Sequence, residues 1–282
     1  MAKGKGFRLM WLAMTVVYLV WMLGFMRWDT YTMENTLLKK EMYPSPAVYY
    51  IWVAVSAIIF LVYPLFIERI YYADKLTAAN RVLNIVSLAA GCAYITAYGC
   101  ILDPLKYTAS MTGLEYPWLF KLWCIASGIS IFTNTLYMYR KFNFKSTVGV
   151  SLACIGCAVL YVTVNIPSAG EDLVMTLQCL AHWSTALLYA FLSAIAILLF
   201  LFHKCRSRDG RFIAVTAVYA AILVLMIVLL ATVGKSTLIE NLPIWATYIL
   251  LFLMNFTSVF DDKKPENRAG DRLPDRRVSE KV

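Results

Sequence analysis

Eight stretches of the chain are almost continuously apolar, at approximately residues 9–26, 47–67, 82–102, 118–139, 146–166, 182–203, 212–233 and 241–260. Polar and charged residues fall mainly in the segments between them. A helix rising about 1.5 Å per residue needs roughly 20 apolar residues to cross a hydrocarbon layer ~30 Å thick. Lipid cannot hydrogen-bond an exposed backbone, so such runs predict helices. A transmembrane barrel would show alternating segments of about ten residues instead. The pattern therefore predicts an all-α fold, a polytopic transmembrane helix bundle of about eight spans.

Lysine and arginine set the expected orientation, because basic residues gather in loops kept on the cytoplasmic side. The N-terminus, the second, fourth and sixth loops and the C-terminal tail together carry 20 of them, and the opposite side carries six. Both termini are thus expected in the cytoplasm, which requires an even number of spans. Tyr49, Tyr50, Trp52, Trp118, Trp183 and Trp245 fall at span starts, where amphipathic rings favour the headgroup level. Pro117 and Pro243 are expected in first helical turns, where a missing N–H costs little. Basic Met1–Arg8 followed by an apolar run is the outline of a signal peptide. The run lacks a small-residue cleavage pattern and ends in Phe25-Met26-Arg27-Trp28, so a retained first helix is expected. The stretch 261–282 carries seven basic and six acidic residues with few apolar ones, and is expected to be a disordered cytoplasmic tail.

Composition agrees with this reading. Hydrophobic residues make up 61% of the 282 and charged residues 15%, against about 45–50% and roughly 25% in soluble domains. The net charge of +9 is accounted for by cytoplasmic loops, so no nucleic-acid partner is called for. Of seven cysteines, Cys154 and Cys157 form a CxxC in mid-span, away from the polar surroundings that redox or metal chemistry needs, and read as packing thiols. Cys100 and Cys179 both fall near the predicted outer surface, which leaves a disulfide between them open.

The mid-membrane portions of the spans contain no Asp, Glu, Lys, Arg or His; Lys121, His182 and His203 stand at span ends. That argues against proton relays, ion-coupled pumps and voltage sensors, which place ionisable groups at depth. Neutral polar residues do occur there: Asn84, Thr96, Ser127, Ser130, Thr133, Asn134, Thr135, Thr163 and Asn255. They read as interhelical hydrogen-bonding groups. Small residues recur at every fourth position in Gly149/Ala153/Cys157, Ala186/Ala190/Ala194 and Ala217/Ala221, and read as bundle packing.

Two motifs carry no function. Gly234-Lys235-Ser236-Thr237 ends like a phosphate-binding loop, but Leu229 stands where the first glycine is required and the segment lies in an outer loop, so no nucleotide is expected. Asn255-Phe256-Thr257 fits a glycosylation sequon inside the eighth span, where it is not expected to be modified.

The outer loops hold the candidate chemistry. The third carries Asp103, Lys106, Thr108, Ser110 and Glu115. The fifth carries Glu171 and Asp172, with His182 opening the next span. The seventh carries Lys235, Ser236, Glu240 and Asn241. Asp103, Ser110, His182 and Glu240 form a candidate outer-face pocket. The plainer alternative is a hydrated rim in which His182 and Glu240 cap helices or pair with each other. A single histidine is thin for a metal site, and no metal or cofactor is called for.

From about Arg81 to Phe260 the sequence resembles the bacterial domain-of-unknown-function 998 membrane family, and more distantly the eukaryotic Frag/DRAM/Sfk membrane proteins. The carrying residues are Asp103-Pro104-Leu105 with Thr108, Ser110 and Gly113; Pro117-Trp118-Leu119-Phe120 with Ser127-Gly128; His182 with Ala186-Leu187-Leu188-Tyr189; and Glu240. The resemblance implies a six-helix membrane unit over 81–260, preceded by two additional helices over 1–67. It also implies a lipid-related role.

Three functional readings follow. The first is a non-enzymatic protein of the cell membrane that binds or organises lipid, or a lipid-linked molecule, at the outer leaflet. The second is a lipid-directed hydrolase or transferase using His182, Glu240, Asp103 and Ser110. The third is a transporter of a neutral or amphipathic solute, which requires a polar-lined cavity at mid-depth.

Overall fold

Side-chain caps decide where most of the helices begin. A computed structural model of the protein describes residues 5–25, 45–71, 76–166 and 177–261. The loop with Glu171 and Asp172 and the tail beyond Asp261, with the expectations placed on them, lie outside the described residues. Helix α1 is Lys5–Val20 and runs into a π-helical turn, Trp21–Phe25. Helix α2 is Pro46–Tyr71, capped by Ser45, whose Oγ accepts the Val48 N–H at 3.3 Å. Thr77 caps α3 (Ala78–Gly99) and Thr108 caps the short α4 (Ala109–Glu115). Helix α5 (Pro117–Lys141) starts on a proline, and Ser146 caps α6 (Thr147–Thr163). Helix α7 is Leu177–Cys205; Asp209 caps α8 (Gly210–Thr232) and Ser236 caps α9 (Thr237–Phe256). Each cap oxygen takes one of the N–H groups that a first turn leaves unpaired.

Five helices, α3, α5, α8, α9 and the Cys179–Cys205 part of α7, are long and apolar enough to cross a membrane. Arg8–Gly24, the Pro46–Ile59 part of α2 and Thr147–Thr163 are shorter apolar stretches among the described residues. No strand occurs among the described residues. Two details differ from the sequence pattern. Helix α4 forms within the expected third loop, and α9 starts four residues before position 241, so Pro243 lies inside the helix rather than in its first turn. The Ser236 cap extends the helix backwards, and the Pro243 carbonyl remains in use as acceptor for Thr247 Oγ1 at 2.8 Å.

Helix α5 is the axis of the bundle and touches α2, α3, α4, α6, α7 and α9. It is the least apolar of the five long helices, yet 67% of its apolar stretch is buried inside the protein; α8, the most apolar, is 11% buried. A soluble protein shows the reverse order, with the most apolar helix inside. Here two polar groups of α5 reach neighbouring helices. Ser130 Oγ donates to the Ser87 carbonyl of α3 at 3.0 Å, and Asn134 Nδ2 donates to the Asn84 carbonyl at 3.3 Å. From α9, Asn255 Nδ2 donates to the Asn134 carbonyl at 2.9 Å. Thr133, Thr135, Thr163 and Ser127 instead return their hydroxyls to their own helices.

Glycines allow the closest approaches. A Cβ on Gly91 would stand 2.5 Å from the Tyr248 hydroxyl, and one on Gly149 would overlap the Tyr139 ring. Gly149, Ala153 and Cys157 are buried, as the small-residue spacing predicts. Ala217 and Ala221 are exposed. Helix α8 packs through Phe212, Thr216 and Tyr219 instead, because these larger side chains reach the bundle and turn the alanines outward. All seven cysteines are thiols: Cys154 and Cys157 are buried in α6, and no disulfide joins exposed Cys100 to buried Cys179.

The helix ends collect at two poles. At one, Arg81, Lys141 and Arg211, from three different segments, converge on the end of α9. Arg81 Nη2 donates to the Phe256 carbonyl at 3.4 Å, and Lys141 Nζ donates to the Met254 and Thr257 carbonyls at 2.8 and 3.2 Å. Arg211 Nη1 donates to the carbonyls of Val259 and Asp261. These cations neutralise the carbonyl end of the helix dipole. The opposite pole carries Glu240.

Candidate functional site

At the Glu240 pole, the α3–α4 turn is tied to the start of α9 by backbone. The Thr237 N–H and Oγ1 both donate to the Tyr107 carbonyl, at 2.8 and 2.7 Å, and the Leu238 N–H donates to Pro104 at 3.1 Å. This clamp sets Glu240 against α4, where its Oε2 accepts the Ala109 N–H at 3.0 Å. Glu240 is half-buried there. A carboxylate at a helix N-terminus satisfies an unpaired donor and meets favourable partial charge. Tyr98 completes the junction by donating its hydroxyl to the Ala109 carbonyl at 2.8 Å.

Across an aromatic layer lies His182, 3% exposed. Its ring is 6.1 Å from Phe120, which stacks on Trp123 at 5.8 Å, and Trp123 in turn meets Tyr98 at 5.8 Å. His182 Nδ1 lies 2.7 Å from the Ile166 carbonyl. A carbonyl can only accept, so this contact puts the ring proton on Nδ1. The histidine thereby closes the turn after α6. Lys235 spans the gap: its charge acts on both His182 and Glu240, and its ammonium lies over the Trp183 ring at 2.9 Å. Partial burial pulls the Lys235 amine below its usual value, while the Glu240 charge pulls it the other way.

The four residues singled out from sequence are therefore placed differently. Glu240 and Ser110 share the α4 junction, although the Ser110 hydroxyl pairs with Thr108 Oγ1 at 3.3 Å rather than with His182. His182 is internal. Asp103 faces outward, its Oδ1 accepting the Leu105 N–H at 3.0 Å and its Oδ2 lying 3.7 Å from Lys106. No group of three His, Cys, Asp or Glu suited to a metal occurs among the described residues.

Two residues outside the four-residue candidate pocket are also buried near span ends. Lys121, placed at a span end by its position, is 1% exposed, and its ammonium lies 4.7 Å from the Trp52 ring and 4.3 Å from the Trp118 ring. The rings meet edge to face at 5.6 Å, and Trp52 Nε1 donates to Asn165 Oδ1. An aromatic pair of this kind stabilises a cation through the ring quadrupoles. The signal in the sequence was Trp118-x-x-Lys121, one helical turn apart. Asn241, beside Glu240, is wholly buried and packs its amide against Gly99.

Deeper in the bundle, between α5, α6 and α7, a cavity of about water size is lined by Gly128, Thr135, Cys157, Tyr189 and Ser193 among others. It is far smaller than the several hundred Å3 that organic ligands occupy.

Comparison with known protein families, curated proteins and solved structures returns no match to this chain. Fold and site thus define a class: an all-helical protein with five apolar helices of membrane-spanning length, which fits a multi-pass membrane protein.

Proposed function

We propose that the chain crosses the cell membrane eight times with both termini cytoplasmic, and that it binds or organises lipid, or a lipid-linked molecule, at the outer leaflet through its Glu240 pole. The inverted relation between apolarity and burial supports a lipid-facing exterior. The resemblance to the domain-of-unknown-function 998 family points the same way. The observation that carries the reading is Lys235 over Trp183, in electrostatic reach of the half-buried Glu240. A cation, a carboxylate and an indole at helix-start level form a polar rim suited to a headgroup. Hydrolysis would need a hydroxyl passing its proton to His182, whereas Ser110 pairs with Thr108.

Lipid retention tests this reading. Native mass spectrometry of the detergent-purified chain is expected to show co-purified lipid that Lys235→Gln and Glu240→Gln deplete. No retained lipid, or retention indifferent to both changes, overturns it. Orientation has its own test. Exposed Cys100 is expected to react with an impermeant maleimide on intact cells, and R206C only after permeabilisation.

A further inference from the structure

The pole opposite Glu240 holds more cations than its helix ends use. Two turns lie side by side there. Phe144, between α5 and α6, has its ring 5.0 Å from His203 of α7, and Phe142 has its ring 5.3 Å from Phe200 of α7 and 6.0 Å from Phe212 of α8. One turn carries Arg140, Lys141 and Lys145 and the other Lys204, Arg206, Arg208 and Arg211. Two carboxylates at this pole are each held by one cation. Arg211 Nε lies 3.1 Å from both oxygens of Asp209, and Lys141 lies 2.8 Å from Asp261. Arg140, Lys145, Lys204, Arg206 and Arg208 pair with no carboxylate among the described residues. The hidden Nε of Arg140 donates to no protein atom, and the Lys204 ammonium rests over Phe142 at 5.0 Å.

Arg208 lies in the turn between α7 and α8 with a φ of +57°, in the left-handed region that glycine adopts freely and other residues adopt at some cost. Exposed Val148, Phe202 and Ile213 adjoin the same turns, so the charge stands at the margin of the apolar exterior.

We propose that these five cations form a binding face for the phosphate of an anionic membrane lipid. The face lies at the other end of the bundle from the Glu240 pole, and its test is separate. Like-charged side chains crowded on two turns repel one another. A phosphate at headgroup level relieves that repulsion and accepts hydrogen bonds from guanidinium groups. Polybasic clusters beside membrane helices gain affinity for acidic lipid with each added charge.

The experiment uses the full chain in neutral detergent, titrated with phosphatidylglycerol or phosphatidylcholine and read by native mass spectrometry. Preferential retention of phosphatidylglycerol is expected. The triple variant K145Q/R206Q/R208Q is expected to lower that retention at least about tenfold and to leave phosphatidylcholine unchanged. Arg208→Gly removes one charge and the backbone strain together, so it folds no worse, and is expected to weaken retention about fivefold; Arg208→Lys retains it. Equal retention of the two lipids by the unaltered chain overturns the proposal, as does an unchanged preference in both the triple variant and R208G. Displacement of bound lipid by millimolar inorganic phosphate would mark a free-anion site and overturns the assignment to lipid. Lys235→Gln and Glu240→Gln are expected to leave this preference intact.

Discussion

Glu240, in the first turn of α9, accepts the backbone N–H of Ala109, 131 positions earlier in the chain, at 3.0 Å. One carboxylate thus joins the start of a long helix to the start of a short one. The pairing explains why an acidic side chain stands at the edge of an apolar run. It serves the fold as an acceptor at the bundle's mouth.

Removing that acceptor tests the joint. Glu240→Ala leaves the Ala109 N–H without its partner and is expected to cost about 1–2 kcal/mol, with Glu240→Gln losing less than half of that because its amide oxygen still accepts. Thermal unfolding in detergent, compared across the two variants, measures the difference. Equal losses would show that charge, and not the hydrogen bond, holds α4.

Gly91 and Tyr248 should behave as a coupled pair. Gly91→Ala would set a methyl 2.5 Å from the buried Tyr248 hydroxyl, and overpacking of this kind costs typically about 1–3 kcal/mol. Tyr248→Phe removes the obstructing oxygen, so the double variant is expected to recover part of the loss. A double-mutant cycle with simple additivity would disprove the contact.

Lys141 binds the carbonyl end of α9 and Asp261 together. Lys141→Met keeps the aliphatic length and removes the donors, at an expected cost of about 1.5–3 kcal/mol for charge-assisted bonds. Faster amide exchange at the end of α9 is the local readout, with the middle of α5 unchanged.

Acid should loosen the α7–α8 turn. Asp209 sits below its ordinary carboxylate value because hydrogen bonds from the Arg211 side chain and backbone favour its charged form. A lowered folded value means that the contribution is present above the unfolded value and lost as pH falls through the folded one. Stability is thus expected to decline below about pH 4, and Asp209→Asn should flatten that part of the profile. A variant profile parallel to that of the unaltered chain would remove Asp209 as the cause.

The apolar runs determined much by themselves. Their length and continuity demand helices, since any other backbone would leave N–H and C=O groups unpaired in lipid. Ser45, Thr77, Ser146, Asp209 and Ser236 mark helix starts that local chemistry alone can explain. The polar outer loops were legible as a region. What they form was not, because Asp103 and Ser110 satisfy neighbours in their own segments while Glu240 reaches across to α4, and sequence spacing cannot tell these apart.

Tertiary structure alone decided the rest. Hydropathy ranks α5 as the weakest long span, and packing makes it the axis, because Ser130 and Asn134 find partners on surrounding helices that lipid could not supply. Lys121 reads as a span-end charge until Trp52, from a distant helix, closes over it. The Ala217/Ala221 stripe has the spacing of an interface but faces outward, since Phe212 and Tyr219 reach the bundle first. Apolar runs set which segments are helices, through backbone hydrogen bonding within each run. Which face of each helix turns inward depends on contacts between runs, and those exist only once the bundle has assembled.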